Sequence, residues 1–196
     1  MGYNEIIMKE KKIRLSFTDD AHQRILTLVR LRFPWLTLGL LGGILASVLV
    51  SQFKHLLTQN ISLAFFVPII VYMADAVGTQ TETMYVRSLS STPVHFLKYL
   101  FKEFVLGLIL GGIFGVLVGF FAWLWIGSMV IAFTVGLAML ANVAIAPVVA
   151  LIVPEILFEE HTDPALGAGP FATVIQDIVS LFVYFLVAAV IIGQAF

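Results

Sequence analysis

The chain has 196 residues, 60% of them hydrophobic and 12% charged, against about 45–50% and about 25% in an ordinary soluble domain. That leaves too little polar surface to keep a monomer in water, so composition excludes a soluble enzyme, a nucleic-acid binder and a disordered tail, and points to a polytopic membrane protein. Net charge is −1 and Cys is absent, which argues against a polyanion partner and excludes disulfides, thiolate metal sites and cysteine nucleophiles.

Residues 1–15 hold Lys9, Lys11, Lys12 and Arg14 and read as a basic tail. Residues 16–32 read as a short amphipathic helix at the inner interface. Asp19 or Asp20 caps it, Ile25, Leu28 and Val29 give it an apolar face, and Arg24, Arg30 and Arg32 sit near lipid phosphates. Residues 1–32 thus form one unit, and residues 33–196 form the membrane domain. A spanning helix needs about 20 predominantly apolar residues. Five such runs follow, at 33–53, 61–85, 103–126, 129–157 and 166–192. Lys54-His55 ends the first. Arg87 and Ser90-Ser91-Thr92-Pro93 end the second. Trp123 and Trp125 mark the end of the third as an interfacial aromatic belt. Pro147 and Pro154 lie inside the fourth, which an acidic stretch through Glu159, Glu160 and Asp163 closes. The lead-in Gly167-Ala-Gly169-Pro170 is expected to loosen the start of the fifth. Seven of the 11 Lys and Arg precede Phe33, and none follows Lys102. The positive-inside rule then puts the N-terminus in the cytoplasm and the C-terminus outside.

An ionisable side chain inside a span costs about 2.5–3.5 kcal/mol on insertion scales and is a functional candidate by default. Asp75 in the second span and Asp177 in the fifth lie near midspan. Glu82 lies toward the inner end of the second, and Glu103 opens the third at the interface. Both glutamates also read as end-of-helix acids, within reach of Arg87 and Lys102. In the fifth span Gly169, Thr173, Gln176, Asp177, Ser180 and Tyr184 recur every three or four residues and form one polar stripe. In the second, Asp75, Gly78, Thr79 and Glu82 share a face. No Lys or Arg inside the spans neutralises these acids. Oxygen ligands without a fixed cation point to a mobile one, and Mg²⁺ suits them because it keeps several waters and uses one or two carboxylates. The candidate metal-site residues are therefore Asp177, Asp75, Thr173, Gly169 and Glu82. The structural alternative is a buried Asp bonded to a neighbouring helix.

Gly107, Gly111, Gly115 and Gly119 keep a four-residue period in the third span, which reads as tight static packing, as do Gly39 and Gly43 in the first. Asn142 reads as an interhelical hydrogen bond. Glu155, Glu159, Glu160 and Asp163 read as a solvated helix end. His22, His55, His95 and His161 are dispersed and form no metal-ligand pair on one helix.

The stretch Asp163-Pro-Ala-Leu-Gly-Ala-Gly-Pro-Phe-Ala-Thr-Val-Ile-Gln-Asp177 resembles the last membrane helix of the MgtE magnesium channel family. There an Asp-Pro-Ala lead-in and a later Pro precede a pore aspartate. Phe66-Val-Pro68 followed by Gly78-Thr-Gln80 and Arg87 resembles the family's second helix, and Arg32-Phe-Pro-Trp-Leu36 the entry to its first. The likeness covers residues 32–194. It implies an all-α integral membrane protein, a homodimer with five helices per subunit and a pore on the two-fold axis. The second and fifth helices would line that pore, with Asp177 of both subunits around a largely hydrated Mg²⁺. Two departures stand out. The family carries Gly-Asn-x-Gly-x-Gln in its second helix, whereas here Ala76 replaces the Asn and Asp75 is an added acid beside it. That acid reads as a second cation site or a proton-coupling site. The family's large cytoplasmic sensor domains are not expected here, so their regulation is not carried over and a separate regulatory partner has a place.

The expected function is transport of divalent cations, Mg²⁺ first, by a multi-pass protein of the cell membrane that is not an enzyme. One alternative is an exchanger of a cation against H⁺ or Na⁺ through Asp75 and Asp177. A distant one is an intramembrane aspartyl protease, suggested by two midspan Asp residues and Pro164-Ala-Leu166. Against it, Asp75 lacks a flanking Tyr and Asp177 lacks a Gly-x-Gly lead-in. A purely structural subunit is disfavoured by the polar stripes.

Overall fold

The computed structural model describes residues 24–89, 95–159 and 164–193. Every regular element among them is a helix: α1 Ile25–Gln52, α2 Lys54–Gln59, α3 Ser62–Leu89, α4 Phe96–Ile126, α5 Met129–Glu159 and α6 Pro164–Gly193. A helix satisfies its own backbone hydrogen bonds, which an apolar bilayer demands. Four of them, α3 to α6, are long and apolar enough to cross a membrane, and α1 is a fifth when Ile25–Pro34 and Leu36–Gln52 are taken as one bent span. The expected all-α membrane bundle is thus observed.

The chain falls into two units, Met1–Thr37 and Leu38–Phe196. In the first, helix runs from Ile25 through Pro34, and Ile25, Leu26 and Phe33 are exposed. The helix bends by 40° between Ile25–Pro34 and Leu36–Gln52, at the kind of residue that commonly kinks a helix. Residues 16–23 of the expected interfacial helix, with Asp19 and Asp20, lie outside the described residues.

In the second unit α5 is the most buried span and packs against α3, α4 and α6. Its buried positions Val135, Ala138, Met139, Val143 and Ala146 meet Leu63, Phe66, Ile70 and Ala74 of α3 and Leu181, Tyr184, Phe185 and Ala188 of α6 in one core. These positions recur every three or four residues, so each helix turns one stripe inward. Tyr184 Oη donates a 2.7 Å hydrogen bond to the Leu63 carbonyl and ties α6 to the first turn of α3. Phe53 stacks on Phe185 with ring centroids 4.9 Å apart.

The α4 glycines form the seam against α5. A Cβ placed on Gly107, Gly111 or Gly115 would stand 2.8, 2.8 or 2.6 Å from the carbonyl oxygens of Val143, Leu140 and Gly136, and one on Gly119 would stand 3.0 Å from that of Ala132. Only hydrogen fits at the first three. Gly39 and Gly43 differ from expectation: nothing lies within 4 Å of a Cβ at either, while one at Gly42 would run into Val174. Gly127 ends α4 in the left-handed region at φ 75°, its N–H donating to the Trp123 carbonyl. The short link through Gly127 and Ser128 makes α4 and α5 antiparallel neighbours.

Three boundaries depart from the reading. Helix α4 begins at Phe96 instead of residue 103, with Lys98 and Lys102 exposed on it. The turn after the first span contains α2, a short helix with no buried residue. Helix α6 runs unbroken through Gly167, Gly169 and Pro170, since Pro is tolerated in early helical turns.

Candidate cation-binding site

The inward stripe of α3 runs through Leu63, Phe66, Ile70, Ala74, Val77, Thr81 and Tyr85. Burying it rotates Asp75, Thr79 and Glu82 to the margin of the bundle, where Asp75 and Glu82 are half-buried and Thr79 is exposed. Helix α6 does the same: Ala172, Ser180 and Tyr184 turn inward, Thr173 is exposed and Asp177 is half-buried. The two margins meet. Asp75, Gly78, Thr79 and Glu82 of α3 line one crevice with Thr173 and Gln176 of α6, closed by the small side chains of Ala150 and Ala172. Its volume is about 10 Å³, room for about one water.

Asp177 stands beside this crevice instead of lining it, close enough for its charge and that of Asp75 to interact. Glu82 is likewise within electrostatic reach of Asp75. Asp75 is therefore the shared neighbour of the other two acids. No Lys or Arg occurs between Lys54 and Arg87 or after Lys102. Among the described residues no group of three or more His, Asp or Glu side chains converges to hold a metal ion.

Of the five residues singled out from the sequence, Asp75, Glu82 and Thr173 are brought together and Asp177 is adjacent. Gly169 belongs to α6, and its surroundings lie outside the described residues. Gln176 was visible in the polar stripe but was not picked out as a ligand. It is 4% exposed. Its Nε2 donates a 3.2 Å hydrogen bond to Ser180 Oγ, and its Oε1 is buried without a partner.

Three polar groups differ from expectation. Glu103 is buried and accepts a 3.1 Å hydrogen bond from Thr81 Oγ1 in place of sitting at the interface beside Lys102. Glu155 accepts a hydrogen bond from Tyr85 Oη and so is tied to α3; Glu160 and Asp163, and the side chain of Glu159, lie outside the described residues. Asn142 Nδ2 donates to the Ala138 carbonyl of its own helix at 2.9 Å, not across helices. A larger cavity of about 420 Å³ lies between α4 and α5 against Gly112, Val116, Phe120 and Phe133. Its walls are apolar and offer an ion no ligand.

The family described as MgtE, divalent cation transporter, matches residues 67–187. The chain is 32% identical over 164 residues to the Magnesium transporter MgtE of Bacillus subtilis, covering 82% of this chain and 36% of that protein. It is 29% identical over 161 residues to the Enterococcus faecalis protein of the same name, covering 81% and 36%. With the Thermus thermophilus protein the identity is 28% over 165 residues, covering 82% and 36%. The chain thus spans about a third of the length of these relatives. Members of this family are transporters, not enzymes, which leaves the protease reading without support. The matched stretch contains the polar faces of both α3 and α6, and the chain belongs to the MgtE family of divalent cation transporters.

Proposed function

We propose that this protein carries divalent cations across the membrane, Mg²⁺ first, along a path lined by α3 and α6 with Asp177 as its central ligand. One observation carries the reading: Asp75, Thr79, Glu82, Thr173 and Asp177 gather on the outer margin of an otherwise apolar bundle. Lipid tolerates such groups poorly, so this flank faces water or another protein surface. A second copy related by a two-fold axis presents the same flank in return. The pair then encloses a polar path with Asp75, Asp177, Thr173 and Glu82 on both sides, and Gly169 continuing the α6 stripe. The one-water crevice within a protomer supports passage of a largely hydrated ion between the copies, as Mg²⁺ gives up water reluctantly. The relatives from Bacillus subtilis and Enterococcus faecalis are named as magnesium transporters, which supports Mg²⁺ as the ion. Residues 33–196 act as the transport domain, and the basic residues 1–32 hold the N-terminus in the cytoplasm, leaving the C-terminus outside. The test is Mg²⁺ uptake by liposomes containing the purified protein. Uptake is expected to vanish in Asp177→Ala, and uptake that persists overturns the assignment of Asp177.

A second reading rests on Asp75, an acid within reach of two others. Three neighbouring carboxylates, with no Lys or Arg between them in either helix, suit exchange of the cation against H⁺ or Na⁺.

A further inference from the structure

Gln176 is a buried polar residue that the transport reading leaves unused. Its amide nitrogen is engaged by Ser180 Oγ at 3.2 Å, which fixes the side chain and leaves Oε1 without a partner. An unpaired carbonyl oxygen inside a membrane helix bundle is costly. Gln176 itself is one of the residues that line the crevice with Asp75 and Glu82. The facing wall is Gly78, where a Cβ would come to 3.3 Å from Oε1. Glycine there leaves the amide oxygen its approach to the crevice.

We propose that Gln176 Oε1 accepts a hydrogen bond from a water of the hydrated divalent cation, making with Asp75 and Glu82 a second binding position beside Asp177. This rests on the transport reading above. The crevice has room for one water and not for a hydrated ion, so the ion stays at its mouth and one of its waters enters. Water on a divalent cation is polarised and donates strongly, and an amide oxygen is a good acceptor for it. A neutral acceptor adds affinity without another charge, and a transported ion must also leave. The opposite amide orientation would turn Nε2 into the crevice, to bond a carboxylate and weaken cation binding.

The experiment is isothermal titration of Mg²⁺ into the purified full chain in detergent, for the wild type, Gln176→Met and Gln176→Glu. Gln176→Met removes the acceptor and is expected to weaken binding about tenfold. Gln176→Glu keeps the oxygen and adds charge, and is expected to bind at least as tightly as the wild type. Unchanged affinity in Gln176→Met, or equal weakening in both variants, overturns the proposal. Should Gln176→Met fail to fold, Gly78→Ala leaves Gln176 in place and narrows the crevice; it too should weaken binding, and wild-type affinity there overturns the proposal. Liposome uptake separates this from the parent reading. A wild-type protein that binds Mg²⁺ with the expected order of variants but moves none refutes transport alone. Transport with variants that bind alike refutes the Gln176 position alone.

Discussion

Thr81 of α3 donates a 3.1 Å hydrogen bond to the Glu103 carboxylate of α4, and both side chains are buried. The two helices share little other surface, so this bond, with the Tyr85 and Tyr99 rings 5.1 Å apart, joins their facing ends. Replacing Glu103 by Ala is expected to cost about 1.5–3 kcal/mol, the range for bonds to a charged group. Lys102→Ala, at an exposed neighbour, should stay within about 0.5 kcal/mol. Reversible unfolding in mixed micelles reads both, and equal effects would return Glu103 to the interface.

The glycine seam gives a sign contrast one helical turn apart. Gly115→Ala sets a methyl 2.6 Å from the Gly136 carbonyl oxygen. Backbone cannot swing aside as a side-chain tip does, so α4 and α5 must separate, at a cost of about 1–3 kcal/mol. Gly112→Ala meets nothing within 4 Å and gains helix propensity, so it should be neutral or stabilising by up to about 1 kcal/mol. The same unfolding measurement compares them.

Tyr184→Phe removes the hydroxyl that donates to the Leu63 carbonyl and keeps the ring against Phe185. The loss should be about 1 kcal/mol, with Mg²⁺ uptake by folded protein unchanged. A larger loss would mean that the ring itself shifts, visible as altered near-ultraviolet circular dichroism.

Asp75→Asn removes the charge shared by Glu82 and Asp177 while keeping the side-chain shape. Uptake of Mg²⁺ at low concentration should fall severalfold, with or without an imposed pH gradient. Loss confined to the gradient-driven part would instead assign proton coupling to Asp75.

Much of the membrane architecture was legible because a span is written in a single variable, the length of an apolar run. Where charge interrupts the run the reading failed: Lys98 and Lys102 hid the first turns of α4, although lysine stems lie along a helix while the ammonium stays wet. Helix α2 left no apolar pattern because it is only six residues long, with Leu56 and Leu57 alone half-buried against the core. The depth of Glu103 was invisible because its partner, Thr81, lies in another span. The polar stripes of α3 and α6 were legible from spacing. That Gln176 leaves one oxygen free depends on Ser180 and Gly78 together, a relation between side chains that no spacing encodes.

The short link at Gly127 and Ser128 also bears on biogenesis. Between Glu103 and Glu155 the chain has no ionisable residue, and the α4 glycines are already matched to the α5 backbone. Between its two glutamates this hairpin therefore offers lipid no charged side chain. Helix α6, carrying Gln176 and Asp177, differs. Its polar face is covered only once α3 and α5 stand beside it, so on the proposed transport reading the ion path would be completed last.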